Sequence, residues 1–201
     1  MFLDTRADRY FCLPRTANDA FLRAAARKSQ PGDEAQLQML LKRGMLIKGN
    51  SSSNVRLPPQ TEEPTRDLLE EPAPCASRTL ILQAFLAELR AAWILRRKSF
   101  HTAIEAARLR KPPRATGRTW SPQQISAAAA ALSFITRSHD RCLVRALAVH
   151  SMCKETAARP KLVLGVVAHP FTAHCWVQLG SAVLVGGYEQ ARLYTPILVL
   201  E

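Results

Sequence analysis

An α+β fold in two parts is expected of this 201-residue chain. Three observations predict it: apolar residues at helical spacing from about residue 79 to 135, short β-branched strands after residue 160, and an acidic proline cluster near residue 60. Hydrophobic residues make up 47% of the chain, enough for a packed core.

The proline cluster sets the domain boundary. Pro58, Pro59, Pro64, Pro72 and Pro74 are interspersed with Glu62, Glu63, Asp67, Glu70 and Glu71. Such a stretch has little apolar surface to bury, so residues 58–77 read as a stiff, acidic linker. Residues 1–57 then form one small domain and residues 78–201 a second. In the first, Arg9 to Leu13 has strand composition, and Thr16 or Asn18 is placed to cap a helix running to about Lys28. Pro31-Gly32-Asp33 opens another helix, with Leu37, Leu40 and Leu41 on one face and Gly44 at its end. Met45-Leu46-Ile47 reads as a short strand, and Gly49 to Asn54 as a hairpin tip or wing. This strand, helix, helix, strand order resembles the winged-helix leader-recognition elements of enzymes that modify ribosomally made peptides. The resemblance implies capture of an extended leader by strand addition at a sheet edge.

After the linker, Leu80, Leu82, Phe85, Leu86, Leu89 and Trp93 recur at helical spacing and predict a broad buried stripe. A second helix is expected over Phe100 to Leu109. Ser121 at the N-cap and Pro122 at the first helical position start a third, through Ile125, Leu132, Phe134 and Ile135. Trp93, Trp120 and Phe134 read as core residues.

Charge bounds the partners. The chain carries 28 basic and 16 acidic residues, a net charge of +12. From Glu88 to Arg118, nine Lys or Arg face two Glu. No nucleic-acid recognition motif is visible, so nucleic acid is not the expected partner. No stretch approaches the roughly 20 apolar residues of a membrane helix, and Met1-Phe2-Leu3-Asp4 lacks a basic signal region. Five cysteines, odd in number and never in CxxC spacing, fit a reducing compartment, and a cytoplasmic location is expected.

The chemistry concentrates after residue 137. Ser138-His139-Asp140 offers cap residues, and Leu143, Ala146, Leu147 and His150 recur at one-turn spacing, so a helix should begin at or just before Cys142. The unpaired amides and dipole of a first turn favour an anion, which activates a thiol there. Cys153, three turns later, reads as a buried structural cysteine. Lys161 to Ala168 and Ala173 to Leu179 read as strands, Gly180-Ser181 as a hairpin turn, and Ala182 to Val185 as a third strand. His174 and Trp176 share one strand face. A helix packed on this sheet can bring a first-turn Cys to a strand His, the arrangement that activates a nucleophilic thiolate.

Cys142-Leu143-Val144-Arg145-Ala146-Leu147, then Leu164-Gly165-Val166, Ala173-His174-Cys175-Trp176-Val177, Gly180 and Tyr194-Thr195-Pro196 together resemble the transglutaminase-like leader peptidases of lasso-peptide biosynthesis. The resemblance covers about residues 78–201. It implies a papain/transglutaminase-like domain in which Cys142 is the nucleophile and His174 its base. It also implies a precursor (leader) peptide as substrate and a separate asparagine-synthetase-like, ATP-using macrolactam cyclase as partner. Trp176 is a candidate substrate-binding residue. The family places an Asp after the tryptophan strand to orient the His, whereas this chain has Val185-Gly186-Gly187. Glu189 and Gln178 are the candidates for that orienting role. A non-catalytic leader-binding adaptor and a Cys-His acyltransferase are the alternative readings.

His139-x-x-Cys142 and His150-x-x-Cys153 have metal-ligand spacing, but both fall on one expected helix, so no metal is expected. With no Walker-type phosphate loop, no cofactor is expected either, and ATP is left to the partner.

Overall fold

Residues 1–48, 61–70, 75–109, 120–135, 141–154 and 158–201 are described in a computed structural model. The chain divides into two units, Met1–Arg56 and Leu57–Glu201.

In the first unit, β1 (Phe2–Asp4) and β2 (Arg9–Phe11) form an antiparallel ribbon in which Phe2 faces Phe11. Their rings stack at 5.6 Å, and Phe21 meets Phe2 edge-on at 5.3 Å. Helices α1 (Arg15–Ala25) and α2 (Asp33–Lys42) follow, with Ala17, Ala20 and Leu40 buried. The turn between them is fixed by Asp33, which accepts from Arg23 Nε and from the Gln30 amide, each at 2.9 Å. The Arg23 guanidinium, then the Gln30 amide, hold the Asp33 carboxyl down at about 2.

Three sequence expectations fail in this unit. No side chain caps α1: Pro14, not Thr16 or Asn18, is the residue at its N-cap. The strand β1 precedes the expected one, and three residues are too few to show alternation. Met45-Leu46-Ile47 is not a strand. The Met45 and Leu46 amides both donate to the Leu40 carbonyl, at 2.9 and 3.3 Å, so the chain wraps the end of α2 and cannot extend there. The observed order is strand, strand, helix, helix, and the strand that would complete a winged helix is absent among the described residues. The expected wing, Gly49 to Asn54, lies outside them.

The second unit is a mixed five-stranded sheet with helices. Its strands are β3 (Arg66–Asp67), β4 (Lys161–Val167), β5 (Thr172–Leu179), β6 (Ala182–Val185) and β7 (Thr195–Leu200), in the order β3-β6-β5-β4-β7. All pairings are antiparallel except β3 with β6. Part of the expected linker is therefore an edge strand. The Thr65 amide donates to the Ser181 carbonyl at 3.0 Å, Asp67 Oδ1 accepts the Tyr188 amide at 2.9 Å, and Leu68 is buried. An acid and a proline-rich flank suit an edge, where one side of the strand needs no ladder partner.

Helices α3 (Arg78–Arg97), α4 (Phe100–Arg108) and α5 (Pro122–Ile135) start where hydroxyl caps allow. Ser77 accepts the Leu80 amide and Ser99 the Thr102 amide. Ser121 and Gln124 close a reciprocal capping box at 3.2 and 3.0 Å. The apolar stripe read on α3 is not its buried face. Leu80, Ala84, Glu88 and Ala91 are buried, whereas Leu82, Phe85, Leu86, Leu89 and Trp93 are exposed. Trp93 is accordingly not a core residue. Trp120 packs at the edge of the cluster of Leu80, Ala84, Ala128 and Leu132. The side chain of Phe134 lies outside the described residues. No helix among the described residues is long and apolar enough to cross a membrane.

The helix α6 (Cys142–Cys153) packs against α3, α5 and the sheet. Val163, Trp176, Val183 and Ala191 form a further cluster, bordered by Tyr188, Tyr194 and Val199. Ala191 and Tyr188 come from the short helix α7 (Tyr188–Ala191).

Candidate active site

Cys142 is the first residue of α6 and is partly exposed. No described side chain caps this helix, and the two expected cap residues, Ser138 and Asp140, lie outside the described residues. First-turn amides of a helix have no intrahelical acceptor and are donors suited to an anion. The adjacent Arg141 and Arg145 add positive charge. Arg145 Nε is 3.7 Å from Oε1 of Glu88, a buried carboxylate on α3 that ties the start of α6 to that helix. Burial raises the Glu88 pKa, and Arg145 and Arg141 oppose the rise. Glu88 was not singled out in the sequence, because it reads there as one acid in a basic stretch.

The other described cysteines differ from Cys142 in setting. Cys153 is buried in α6, and burial pushes its thiol up to about 12. Cys175 is buried in β5, and burial raises its thiol further. The helix α6 packs against β5, the strand that carries His174.

His174 sits on β5, paired in register with Gly165 of β4. Its Nε2 is 2.8 Å from the backbone carbonyl of Gly186. A carbonyl only accepts, so Nε2 carries the proton, and in the neutral ring Nδ1 keeps the lone pair that a base needs. The ring is held on two further sides. Trp176 stacks on it at 5.9 Å and 19°, and Tyr194 lies at 5.2 Å and 39°. Burial lowers the His174 pKa, and the Gly186 carbonyl partly offsets that. No hydrogen bond joins Cys142 to His174 among the described residues. Such bonds are often long in unliganded sites and tighten with substrate.

Two glycines make this packing possible. A Cβ on Gly165 would lie 2.8 Å from both the Trp176 ring and Tyr194. Gly186 has φ +114°, and a Cβ there would lie 2.5 Å from Trp176 Cβ and 3.2 Å from His174 Nε2. An Asp at 186 would therefore occupy the space of the residues it would have to serve.

Neither candidate for orienting His174 is bonded to it. Gln178 is fully buried, and its groups are committed elsewhere: Oε1 accepts from Trp176 Nε1 at 2.6 Å, and Nε2 donates to the Glu62 and Gly180 carbonyls at 2.9 and 2.8 Å. It fixes Trp176, which in turn packs His174. Glu189 is exposed on α7, with the Tyr188 hydroxyl 3.5 Å from its carboxylate. The acceptor that does reach His174 is a main-chain carbonyl, a group that no residue type announces. Tyr194 belongs to the motif that carries the family resemblance and was not picked out as a site residue.

His150, on α6, is buried with no hydrogen-bond partner for Nδ1 among the described residues. Burial, then Lys154, depresses its pKa to about 4 from 6.5. The unfolded chain then binds a proton that the folded chain excludes, so stability is full above about 6.5 and is lost as pH falls toward 4. The loss expected from this group is roughly 3 kcal/mol. Urea melts followed by tryptophan fluorescence at pH 7 and pH 5 should show about 2 kcal/mol of it, with a flatter profile in His150→Leu. No group of three potential metal ligands occurs among the described residues.

The chain belongs to the transglutaminase-like superfamily, whose model matches residues 85–199. That span contains Cys142, His174, Gly186 and Tyr194. The superfamily commonly has cysteine protease or acyltransferase activity, and the α+β domain with its mixed sheet is compatible with a cysteine peptidase. No curated protein and no solved structure matches the chain.

Proposed function

We propose that the chain is a cysteine endopeptidase that removes the leader from a ribosomally made lasso-peptide precursor. The observation that carries this reading is the setting of His174: Nε2 is engaged by the Gly186 carbonyl, and the ring is braced by Trp176 and Tyr194, so Nδ1 is the nitrogen left to act as base. In this mechanism, Nδ1 takes the thiol proton of Cys142, and the sulfur attacks the carbonyl at the leader/core junction. First-turn amides of α6 stabilise the oxyanion. Collapse breaks the C–N bond, the imidazolium gives its proton to the departing amine, and the leader remains as a thioester. Water then attacks, with Nδ1 accepting its proton, and releases the leader carboxylate and the free thiol.

The freed core amino terminus is the group that a partner ATP-using, asparagine-synthetase-like cyclase would join into a macrolactam. Residues 1–57 would capture the leader. The two-stranded β1–β2 sheet supports this, because an extended peptide can add at an outer strand edge. Five free cysteines suit a cytoplasmic site of action.

The test is to incubate the purified chain with the precursor peptide encoded beside it, with and without the cyclase, and to read peptide masses. Separate leader and core masses, their sum one water heavier than the precursor, are expected. A leader joined to an added amine would identify an acyltransferase. Binding with no mass change would identify an adaptor.

A further inference from the structure

The helix α3 is apolar on two opposite sides. At about 100° per residue, buried Leu80, Ala84 and Ala91 lie half a turn away from Leu82, Phe85, Leu86, Leu89 and Trp93, which are between 39% and 58% exposed. The exposed side has a particular spacing. Leu82, Leu86, Leu89 and Trp93 follow steps of four, three and four residues, the alternation of d and a positions in a coiled-coil seam. On the same register, Arg90 and Arg97 fall at e positions, where interhelical ion pairs choose the partner, and Arg96 closes the seam at the next d. Lys98 lies over the Trp93 ring at 5.9 Å and adds a cation at that end. The helix's sole acid, Glu88, is buried.

We propose that this face of α3 docks an α-helix of a partner protein, one whose own apolar seam is bordered by Asp or Glu. Charge selects this occupant over the others. A second copy brings the same cations and no exposed acid on α3, and the amino-terminal unit carries ten basic and five acidic residues. Seam geometry disfavours an anionic membrane, since a bilayer rewards a wide apolar face and has no use for steps of four and three. The proposal stands on α3 alone and does not rest on the peptidase reading.

The test uses the full chain and two fluorescent helical peptides of about three heptads, each with Leu at a and d. One carries Glu at e and g, the other Lys. Anisotropy should show the Glu peptide binding roughly tenfold more tightly than the Lys peptide. Leu86→Asn combined with Leu89→Asn, both exposed positions, should abolish binding while circular dichroism stays unchanged. Arg90→Glu combined with Arg97→Glu should reverse the preference, a gain that misfolding cannot produce. Equal binding of the two peptides, or none, would overturn the proposal. So would preferential binding to phosphatidylglycerol vesicles over the Glu peptide, or wild-type self-association lost in the double Asn variant.

Discussion

Cys142→Ala should lower precursor cleavage by roughly four orders of magnitude, the scale on which loss of a covalent nucleophile acts, and should leave the fold intact. The side chain is partly exposed at the first position of α6, so its removal opens no core cavity. Cys153→Ala is the informative contrast. That thiol is fully buried, so its loss should lower the melting temperature while cleavage per folded molecule persists. Peptide mass spectrometry on both variants, corrected for folded fraction, decides the matter. Equal activity losses in the two would remove Cys142 from the nucleophile's role.

The second large effect is expected at the position where the family's orienting carboxylate is absent. Gly186→Asp restores the family residue type, yet it should reduce kcat/KM by about 100-fold or more instead of raising it. The backbone there has φ +114°, costly for any residue with a side chain, and the new Cβ would press on Trp176 and on the ring nitrogen of His174. Gly187→Ala is the matched control. Its φ is also positive, +74°, but a Cβ there meets nothing within 4 Å, so about 1 kcal/mol of strain should appear with activity largely kept. Steady-state kinetics and thermal melts on both variants read the two effects separately. A gain of activity in Gly186→Asp would mean that the Gly186 carbonyl is an inadequate substitute for a carboxylate and not a working part of the site.

A carbonyl in place of a carboxylate has its own consequence. A neutral acceptor stabilises imidazolium less than an anion does, and burial already lowers the His174 pKa. The base should therefore stay neutral, and the acid limb of the pH–rate profile should lie below the ordinary histidine range. His174→Ala removes that limb along with the activity.

How much of this was legible in the sequence depends on what each feature rests on. The helix start at Ser121 follows from a side chain that caps its own neighbour, and the β4–β5–β6 meander follows from alternation and a Gly-Ser turn. These signals are local. The faces of α3 were misassigned because periodicity reveals that a helix has an apolar side but not which side the fold covers. Here the larger residues are outside, and Leu80, Ala84 and Ala91 are inside. Strand β3 was read as linker because two residues held by a parallel neighbour carry no pattern of their own. Met45 to Ile47 looked like a strand by composition, but capping of the α2 carbonyls decided its path. Cys142 and His174 were visible as residue types in a motif. The Gly186 carbonyl, the commitment of Gln178 to Trp176 and the burial of Glu88 depend on contacts between distant segments and left no local sign.

The central claim is that Cys142 and His174 act as one unit. Limited iodoacetamide labelling at neutral pH, followed by peptide mapping, tests it without requiring a substrate. Cys12 and Cys75 are exposed and serve as internal references, while buried Cys153 and Cys175 should remain unlabelled. The account predicts that Cys142 is alkylated first in the wild type, by about tenfold or more over the references, and that His174→Ala brings it down to their rate. If Cys142 reacts no faster than Cys12 and Cys75, and His174→Ala leaves its rate unchanged, the two residues are not a catalytic pair.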